Sequence, residues 1–267
     1  MARARLTLFP VLAALAVPAA LPAPARAGEV ACAFEGGVVV VPAQVAGVAG
    51  DYILDTGAPR TLLHDTKARA EGIEAEALMG EVRLAGLALA ARPVGVADLD
   101  VRGWNLPTPI AGLVGADVLK DFVVDVAFAP CRVGIWRRGA APPFRAARSL
   151  PLAWDAGRPA VRAWVGDEAR TLEGLFVVST GANTAVRLAE DLAAAPGAPA
   201  GEIGPDGRWL ARLAELGFAG RTLRDAGAGL TPPEGEAAGV IGGPALAGPA
   251  LRFDFPAGRL RVAPAPR

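Results

Sequence analysis

The sequence predicts a mainly β protein built from two similar halves, and three observations lead to this prediction. The chain has 267 residues, of which 33 are glycine and 24 are proline, so many short elements joined by tight turns are expected. Short runs rich in valine, leucine and alanine alternate with these turn residues, as is typical of β-strands. Four short motifs of the first half also recur, in the same order, in the second half.

Residues 1–27 have the composition of a secretory signal peptide. Two arginines precede an apolar stretch that two prolines interrupt, and Ala25-Arg26-Ala27 is a small-residue cleavage site. The prolines and the short length favour a cleaved signal over a membrane anchor. The many Ala, Arg, Gly and Pro residues and the two lysines suggest a GC-rich bacterial source. We therefore expect cleavage after Ala27 and a periplasmic or secreted protein.

The charge balance and residue types exclude several classes of partner. Removal of residues 1–27 leaves 24 basic and 27 acidic residues, a net charge of about −3. Because no basic run contains interleaved aromatic residues, no nucleic-acid partner is expected. No second apolar run is long enough to span a bilayer, so no membrane association is expected after signal cleavage. One histidine and two cysteines are too few for a recognisable metal site, so neither a metal nor a cofactor is expected.

Both cysteines, Cys32 and Cys131, lie in the part of the chain that is predicted to be exported. An even number of cysteines in an oxidising compartment favours a disulfide over two buried free thiols, which are the alternative. The predicted bridge would join residues that are 99 positions apart in the sequence.

The apolar runs of the first half predict its elements in order. Valine-rich runs at 38–42 and 43–47 predict the strands of a hairpin, and residues 52–54 continue that sheet up to Asp55. Residues 60–72 have the spacing of a short helix that ends at Gly72. The other predicted elements are a hairpin over 82–89, a strand over 111–115, helical turns over 116–122 and two strands over 122–136.

The pattern begins again after a basic, proline-rich segment. Residues 137–148 predict a linker between a first lobe, residues 28–136, and a second lobe, residues 149–267. The motif Leu54-Asp55-Thr56-Gly57-Ala58 recurs 124 positions later as Val178-Ser179-Thr180-Gly181-Ala182, and the other repeated motifs have similar offsets. Residues 209–218 alone have the pattern of an amphipathic helix, but their counterpart in the first repeat alternates, so we predict a strand.

The repeated tetrapeptide resembles the Asp-Thr-Gly turn of the pepsin and retropepsin clan of aspartic peptidases. The resemblance rests on residues 53–58 and 112–119 and on their echoes at 177–182 and 239–246, and it extends over most of the mature chain. It implies a bacterial exported retropepsin-like aspartyl protease with a degenerate second repeat. The implied fold is mainly β, with two pseudo-symmetric retropepsin-like β-barrel lobes and a central cleft.

The resemblance also implies a catalytic role for Asp55. In this clan, two aspartates share one proton and activate the water that attacks a peptide carbonyl. The second aspartate is absent here, because Ser179 occupies its position. A serine hydroxyl can hold a water but cannot share a proton as a carboxyl does. The implied active-site loops consist of Thr56, Gly57, Ala58, Thr180 and Gly181.

Three hypotheses follow for the function. The protein is an aspartic peptidase in which Asp55 activates a water, either as a homodimer or with another acid reaching the cleft. Alternatively, it is a catalytically dead homologue that binds peptides, or a scaffold for an interaction in the cell envelope. The expected partner is a peptide or protein in an extended conformation. A monomer is expected, and a homodimer is the alternative.

His64 is the only histidine of the chain and lies nine positions after Asp55. A set of Ser179, His64 and Asp55 would be an alternative catalytic arrangement. However, no Gly-x-Ser-x-Gly elbow surrounds the serine, and His64 lies in a polar stretch. We therefore predict a solvated histidine without a catalytic role.

Overall fold

The computed structural model describes residues 28–166, 171–190, 202–203 and 209–264, with the backbone alone for 202–203 and 209–211. The predicted signal peptide, residues 1–27, lies outside the described residues. The strands of the first half are β1 Glu29–Ala31, β2 Ala33–Glu35, β3 Val38–Val45, β4 Val48–Leu54, β5 Leu62–His64, β6 Ala77–Leu84, β7 Leu87–Ala97, β8 Gly112–Val114, β9 Val123–Phe128 and β10 Cys131–Trp136.

The second half repeats this succession of strands. Its strands are β11 Arg148–Pro151, β12 Ala153–Asp155, β13 Arg158–Gly166, β14 Thr171–Val178, β15 Val186–Ala189, β16 Glu202–Ile203, β17 Trp209–Phe218, β18 Arg221–Thr231, β19 Gly239–Ile241, β20 Leu251–Asp254 and β21 Arg259–Val262. The helices are α1 Asp65–Ala70, α2 Asp100–Gly103, α3 Ala116–Leu119 and α4 Gly243–Leu246, and a 3-10 turn spans Phe255–Ala257. Within the described ranges, no helix has the length and apolar character needed to cross a bilayer.

Two closed six-stranded barrels form the body of the protein. The first has the order β3-β4-β8-β5-β7-β6, and β6 pairs back with β3 to close it. The second has the order β13-β14-β19-β15-β18-β17, and β17 pairs back with β13. Each strand of one barrel has its counterpart at the same place in the other. The predicted mainly β fold with two pseudo-symmetric barrel lobes is therefore confirmed, as is the prediction of a strand over Trp209–Phe218.

A six-stranded sheet shared by the two halves joins the barrels. Its order is β1-β10-β9-β20-β21-β11, so β9 of the first half pairs with β20 of the second. Arg252 on β20 donates two hydrogen bonds to the carboxylate of Asp125 on β9, at 2.6 and 2.7 Å. Because Arg252 is buried, its charge needs the carboxylate of Asp125 across the sheet.

The predicted disulfide between Cys32 and Cys131 is present. Cys32 lies between β1 and β2, and Cys131 is the first residue of β10. The backbone N–H of Cys32 also donates to the carbonyl oxygen of Cys131 at 3.2 Å. The bridge therefore ties the first barrel's entry strand to the shared sheet.

The hairpin predicted over residues 38–47 is a single strand instead. Pro42 lies within β3, and the turn that ends this strand lies at Ala46-Gly47, where φ is 50° and 88°. One edge of β3 pairs with β2 over residues 38–40 and with β6 over residues 43–45. Pro42 falls between these two pairings, so its missing N–H leaves no ladder hydrogen bond unmade.

The helix predicted over residues 60–72 begins only at Asp65. The three residues before it form β5, which pairs with β7 on one side and with β8 on the other. Leu63, in the middle of β5, is fully buried in the first barrel. Burial between two strands therefore overrides the local helical spacing of this segment.

Tyr52, the only tyrosine of the chain, lies fully buried in β4. Its hydroxyl donates to the carbonyl oxygen of Val48 at 2.7 Å. Burial raises the pKa of Tyr52, because the phenolate would lose its hydration inside the barrel. Burial of the neutral Tyr52 phenol therefore contributes fully to the stability of the fold below the unfolded-state pKa of about 10. This contribution is lost as the pH rises above that value.

We expect the near-ultraviolet absorbance of tyrosinate to appear only when the protein unfolds in alkali. A spectrophotometric titration reports on Tyr52 alone, because the chain has no other tyrosine. In Tyr52→Phe, the circular dichroism of the sheet should be lost at a higher pH than in the unmodified protein. Tyrosinate formation near pH 10 with the sheet signal intact would contradict the expected burial effect.

Candidate active site

The two repeated tetrapeptides meet at the junction of the barrels. Asp55 follows β4 and Ser179 follows β14, and each of these strands pairs in parallel with the next repeated strand of its own barrel. The backbone N–H of Asp55 donates to Val114 at 3.0 Å, and that of Ser179 donates to Ile241 at 2.9 Å. The Ser179 hydroxyl then donates to Asp55 Oδ1 at 2.6 Å. The sequence repeat thus places its two variable residues in direct contact.

The threonines of the two turns cross-link them symmetrically. The Thr56 hydroxyl donates to the carbonyl oxygen of Val178 at 2.7 Å, and the Thr180 hydroxyl donates to that of Leu54 at 2.5 Å. Each hydroxyl oxygen accepts a hydrogen bond of 3.2 Å from the other threonine's backbone N–H. Because both threonines are fully buried, this network satisfies every polar group that it contains.

The glycines allow the two turns to approach closely. A Cβ atom on Gly57 would lie 2.5 Å from Ser179 Cβ, and one on Gly181 would lie 2.5 Å from Asp55 Cγ. Any side chain at either position would therefore push the turns apart. The following residue anchors each turn, because the carbonyl oxygen of Ala58 accepts from the N–H of Ala116 at the start of α3, at 2.7 Å.

Both carboxylate oxygens of Asp55 accept hydrogen bonds from the chain itself. Oδ1 accepts from the Ser179 hydroxyl at 2.6 Å and from the Gly57 N–H at 2.8 Å. Oδ2 accepts from Nη2 of Arg102, and the same nitrogen donates to the carbonyl oxygen of Gly181 at 3.1 Å. The guanidinium thus balances the charge of a carboxylate that is only 2% exposed.

Sequence reasoning did not identify Arg102 as part of the site. This residue lies on α2, in a connection of 14 residues between β7 and β8, whereas the equivalent connection between β18 and β19 has 7 residues. Leu99 and Ile110 anchor the longer connection in a small core cluster beneath the site. A difference in length between the two repeats was the only signal in the sequence that marked this segment.

Among the residues that the structure describes, the site lacks the pair of carboxyl groups on which aspartic-peptidase chemistry depends. The Ser179 hydroxyl occupies the place of the second carboxyl and contacts Oδ1 of Asp55. The guanidinium of Arg102 contacts the other oxygen, Oδ2. The described partners of the Asp55 carboxylate are a hydroxyl, a backbone N–H and a guanidinium, and none of these can share a proton with it as a second carboxyl would. The arrangement can hold the two turns together and can offer a balanced ion pair to a ligand.

The face of the Asp55 turn is covered by the Ser179 turn of the same chain. The close approach at Gly57 leaves no space between the two turns. A second Asp55 from another copy cannot occupy the same face while this contact exists. A homodimer that pairs two Asp55 turns would therefore require the Ser179 turn to move away from Asp55.

His64 is not the solvated residue that the sequence suggested. Its side chain is 12% exposed, with Nδ1 at 3.0 Å from Asp65 Oδ1 and Nε2 at 3.1 Å from Asp100 Oδ1. Because both ring nitrogens contact these two acids, His64 does not join Asp55 and Ser179 in a triad. Two carboxylates, from the first residues of α1 and α2, lie on either side of the imidazole and explain the difference.

Comparison with known proteins agrees with this geometry. Residues 41–123 match a family model described as aspartyl protease. Among solved structures, the crystal structure of an aspartic proteinase from Irpex lacteus matches with a TM-score of 0.51 and 14% sequence identity. That alignment covers 90% of this chain and 98% of the other, and at such low identity it shows the fold alone. A search of curated protein sequences finds no match.

The family match contains the Asp55 turn and the strands β4 to β8, which are the half of the site that keeps its carboxylate. The structural match extends over both barrels, including the half that carries Ser179. The chain therefore has the two-lobed fold of the pepsin and retropepsin clan, and its first lobe is similar to the aspartyl protease family.

Proposed function

We propose that this protein binds extended peptides in an aspartic-protease fold and does not hydrolyse them. The observation that carries the proposal is the state of Asp55, whose two oxygens accept hydrogen bonds from Ser179, Gly57 and Arg102. A general base must present a free oxygen to the water that it activates. At Asp55, three donors of the chain surround the carboxylate in the place where such a water would bind.

The surface beside Arg102 supports a peptide as the ligand. Val101 precedes it in α2 and is 50% exposed, and Trp104 directly follows the end of α2 and is 52% exposed. Exposed aromatic and aliphatic side chains commonly anchor a bound chain, and aromatic anchors contribute the most affinity. Proteins with this fold bind peptides in an extended conformation. We therefore expect apolar side chains of a bound peptide to contact Trp104.

A latched hydrolase is the second candidate, because Arg102 is not rigidly enclosed. Its side chain is 31% exposed and lies on a helix of four residues. If a substrate displaced the guanidinium, Oδ2 of Asp55 would be free to contact a water. In that case Arg102 would be an inhibitory contact rather than a permanent part of the site.

Peptide cleavage by three proteins separates these candidates. The unmodified chain, Asp55→Asn and Arg102→Ala are incubated with a mixed peptide library from acidic to neutral pH, with Arg132→Ala as an exposed-arginine control. We expect no cleavage by any of them. Cleavage by the unmodified chain that Asp55→Asn abolishes would overturn the proposal. Cleavage by Arg102→Ala alone would establish the latched hydrolase instead.

Peptide binding must be measured separately, because a protein that does not cleave peptides does not necessarily bind them. We expect Trp104→Ala to weaken the affinity for library peptides by about tenfold, the effect of a 1–2 kcal/mol anchor. Trp154→Ala, which removes a 45% exposed tryptophan from the second lobe, is the matched control and should bind as the unmodified chain does. Equal losses in both variants, or no saturable binding at all, would refute a peptide site beside α2.

We also propose that the protein acts outside the cytosol. The signal-like composition of residues 1–27 and the disulfide between Cys32 and Cys131 support this location, since disulfides persist in oxidising compartments.

A further inference from the structure

A cluster of potential metal ligands lies where β5 ends and the α2 connection begins. One ligand atom from each of His64, Asp98 and Asp100 lies within 4.8 Å of the others. The pairing of His64 on β5 with Ala97 on β7 creates this cluster, because Asp98 follows directly after the paired residue. The three side chains thus come together through the barrel's own strand pairing.

The geometry of the histidine fits a coordinated ion. His64 Nε2 and Asp100 Oδ1 are 3.1 Å apart. With metal–nitrogen and metal–oxygen bonds of about 2.0–2.2 Å, two adjacent ligand atoms of one metal lie roughly 3.0–3.4 Å apart. The observed separation therefore matches the edge of a coordination polyhedron.

A carboxylate behind the histidine orients the ring for this role. Asp65 Oδ1 lies 3.0 Å from His64 Nδ1, and Arg69 holds the other oxygen of Asp65 at 2.6 Å. Metal-binding histidines commonly donate their second ring N–H to a carboxylate in this manner. A metal bound at Nε2 would leave Nδ1–H as the donor to Asp65, so the contacts at both ring nitrogens have the arrangement of a coordinated histidine.

The two aspartates are positioned relative to each other as well. Asp98 Oδ1 accepts the backbone N–H of Asp100 at 2.8 Å, which fixes the turn that leads into α2. Both acids are exposed at the surface, whereas the His64 side chain is only 12% exposed. An ion at this place would therefore have protein ligands on its inner side and water on its outer side.

We propose that His64, Asp98 and Asp100 bind a divalent transition-metal ion of the Zn²⁺ type. One imidazole and two carboxylates suit Zn²⁺ and Mn²⁺ better than Mg²⁺, which prefers oxygen ligands alone. Counting histidines and cysteines along the sequence missed this site, because two of its three ligands are carboxylates. The ion would fix the start of α2, which carries Arg102 two positions beyond Asp100.

Calorimetric titration of the tag-free protein with ZnCl₂, MnCl₂ and MgCl₂ tests the site. We expect one Zn²⁺ per chain, weaker Mn²⁺ and the weakest response to Mg²⁺. Asp100→Asn should lower the Zn²⁺ affinity by at least about tenfold without disturbing the fold, because its side chain is 80% exposed. Asp65→Asn should lower it by about 10–100-fold through the orientation of His64. Asp121→Asn, an acid that contacts Arg92 instead, is the matched control and should bind Zn²⁺ unchanged.

Two results would overturn the metal site. One is the absence of saturable Zn²⁺ binding, or equal binding by Asp100→Asn and Asp121→Asn. The other is nitrogen NMR that shows N–H protons on both ring nitrogens of His64 at neutral pH in the presence of Zn²⁺, since a doubly protonated imidazole cannot bind a metal. Peptide binding at Trp104 is measured separately, so either proposal can fail without the other.

Discussion

Replacing Ser179 with aspartate and Arg102 with alanine in one chain is expected to create peptide hydrolysis at acidic pH. The Ser179 hydroxyl lies 2.6 Å from Asp55 Oδ1, so a carboxyl at position 179 would lie within hydrogen-bonding reach of Asp55. Two carboxyl groups this close share one proton, which supplies the acid and the base. General acid–base assistance of this kind contributes about 10²–10⁴-fold, so we expect the double variant to cleave peptides at least about 10²-fold faster than the background seen with the unmodified protein.

Neither change alone should give this gain. In Ser179→Asp, Arg102 still binds Oδ2 of Asp55 and balances the charge of its carboxylate, so the two carboxyl groups have less reason to share a proton. In Arg102→Ala, Asp55 has no acidic partner. Cleavage of quenched fluorescent peptides by the single and double variants therefore forms a double-mutant cycle with strong positive coupling.

A third variant controls for contaminating peptidases. Adding Asp55→Asn to the double variant should remove all the new activity, because it removes the base. The expectation fails if the folded double variant is inert across the acidic range, or if its activity survives the loss of Asp55. Thr56 and Thr180 are unchanged in every variant, so we expect the turns to keep their geometry. Circular dichroism verifies independently that each variant is folded.

Loss of the disulfide is expected to reduce the free energy of unfolding by about 4–5 kcal/mol, the chain-entropy value for a loop of this length. Cys32 and Cys131 are 99 positions apart, so the bridge removes a large part of the unfolded chain's freedom. The variant Cys32→Ala/Cys131→Ala should therefore unfold at a much lower denaturant concentration than the oxidised protein.

Denaturant titrations with and without a reducing agent measure this effect. Reduction should shift the unfolding midpoint of the unmodified protein to that of the double alanine variant. The same reducing agent should leave the alanine variant unchanged, which controls for effects on the rest of the chain. Coincident midpoints for the oxidised and the alanine proteins would show that the bridge contributes nothing to stability.

Local patterns predicted many of the strands and the internal repeat predicted two similar halves, whereas the closed barrels were implied by the resemblance to the pepsin and retropepsin clan. Alternating apolar residues determine strands, and a second copy of each motif determines that the strands are arranged twice. The repeat also predicted Trp209–Phe218 as a strand, against its own helical periodicity. For the same reason, the contact between Asp55 and Ser179 could be anticipated, since equivalent turns of two repeats meet at a pseudo-symmetry axis.

Contacts that break the symmetry could not be predicted in this way. Arg102 reaches Asp55 from 47 positions away, on a connection that has no counterpart of equal length in the second repeat. The strand β5 was also not predicted from its own sequence, because its three residues form a strand only through pairing with β7 and β8. Both features depend on tertiary placement, which the periodicity of a short segment does not encode.

The shared sheet determines how far this chain can be divided. A fragment that ends at Trp136 would lose β20, and the N–H and C=O groups of β9 along that edge would have no partner. Asp125 would lose the guanidinium of Arg252 as well. An open strand edge of this kind recruits another chain. The two repeats are therefore separable in sequence, but we expect neither of them to be stable without the other.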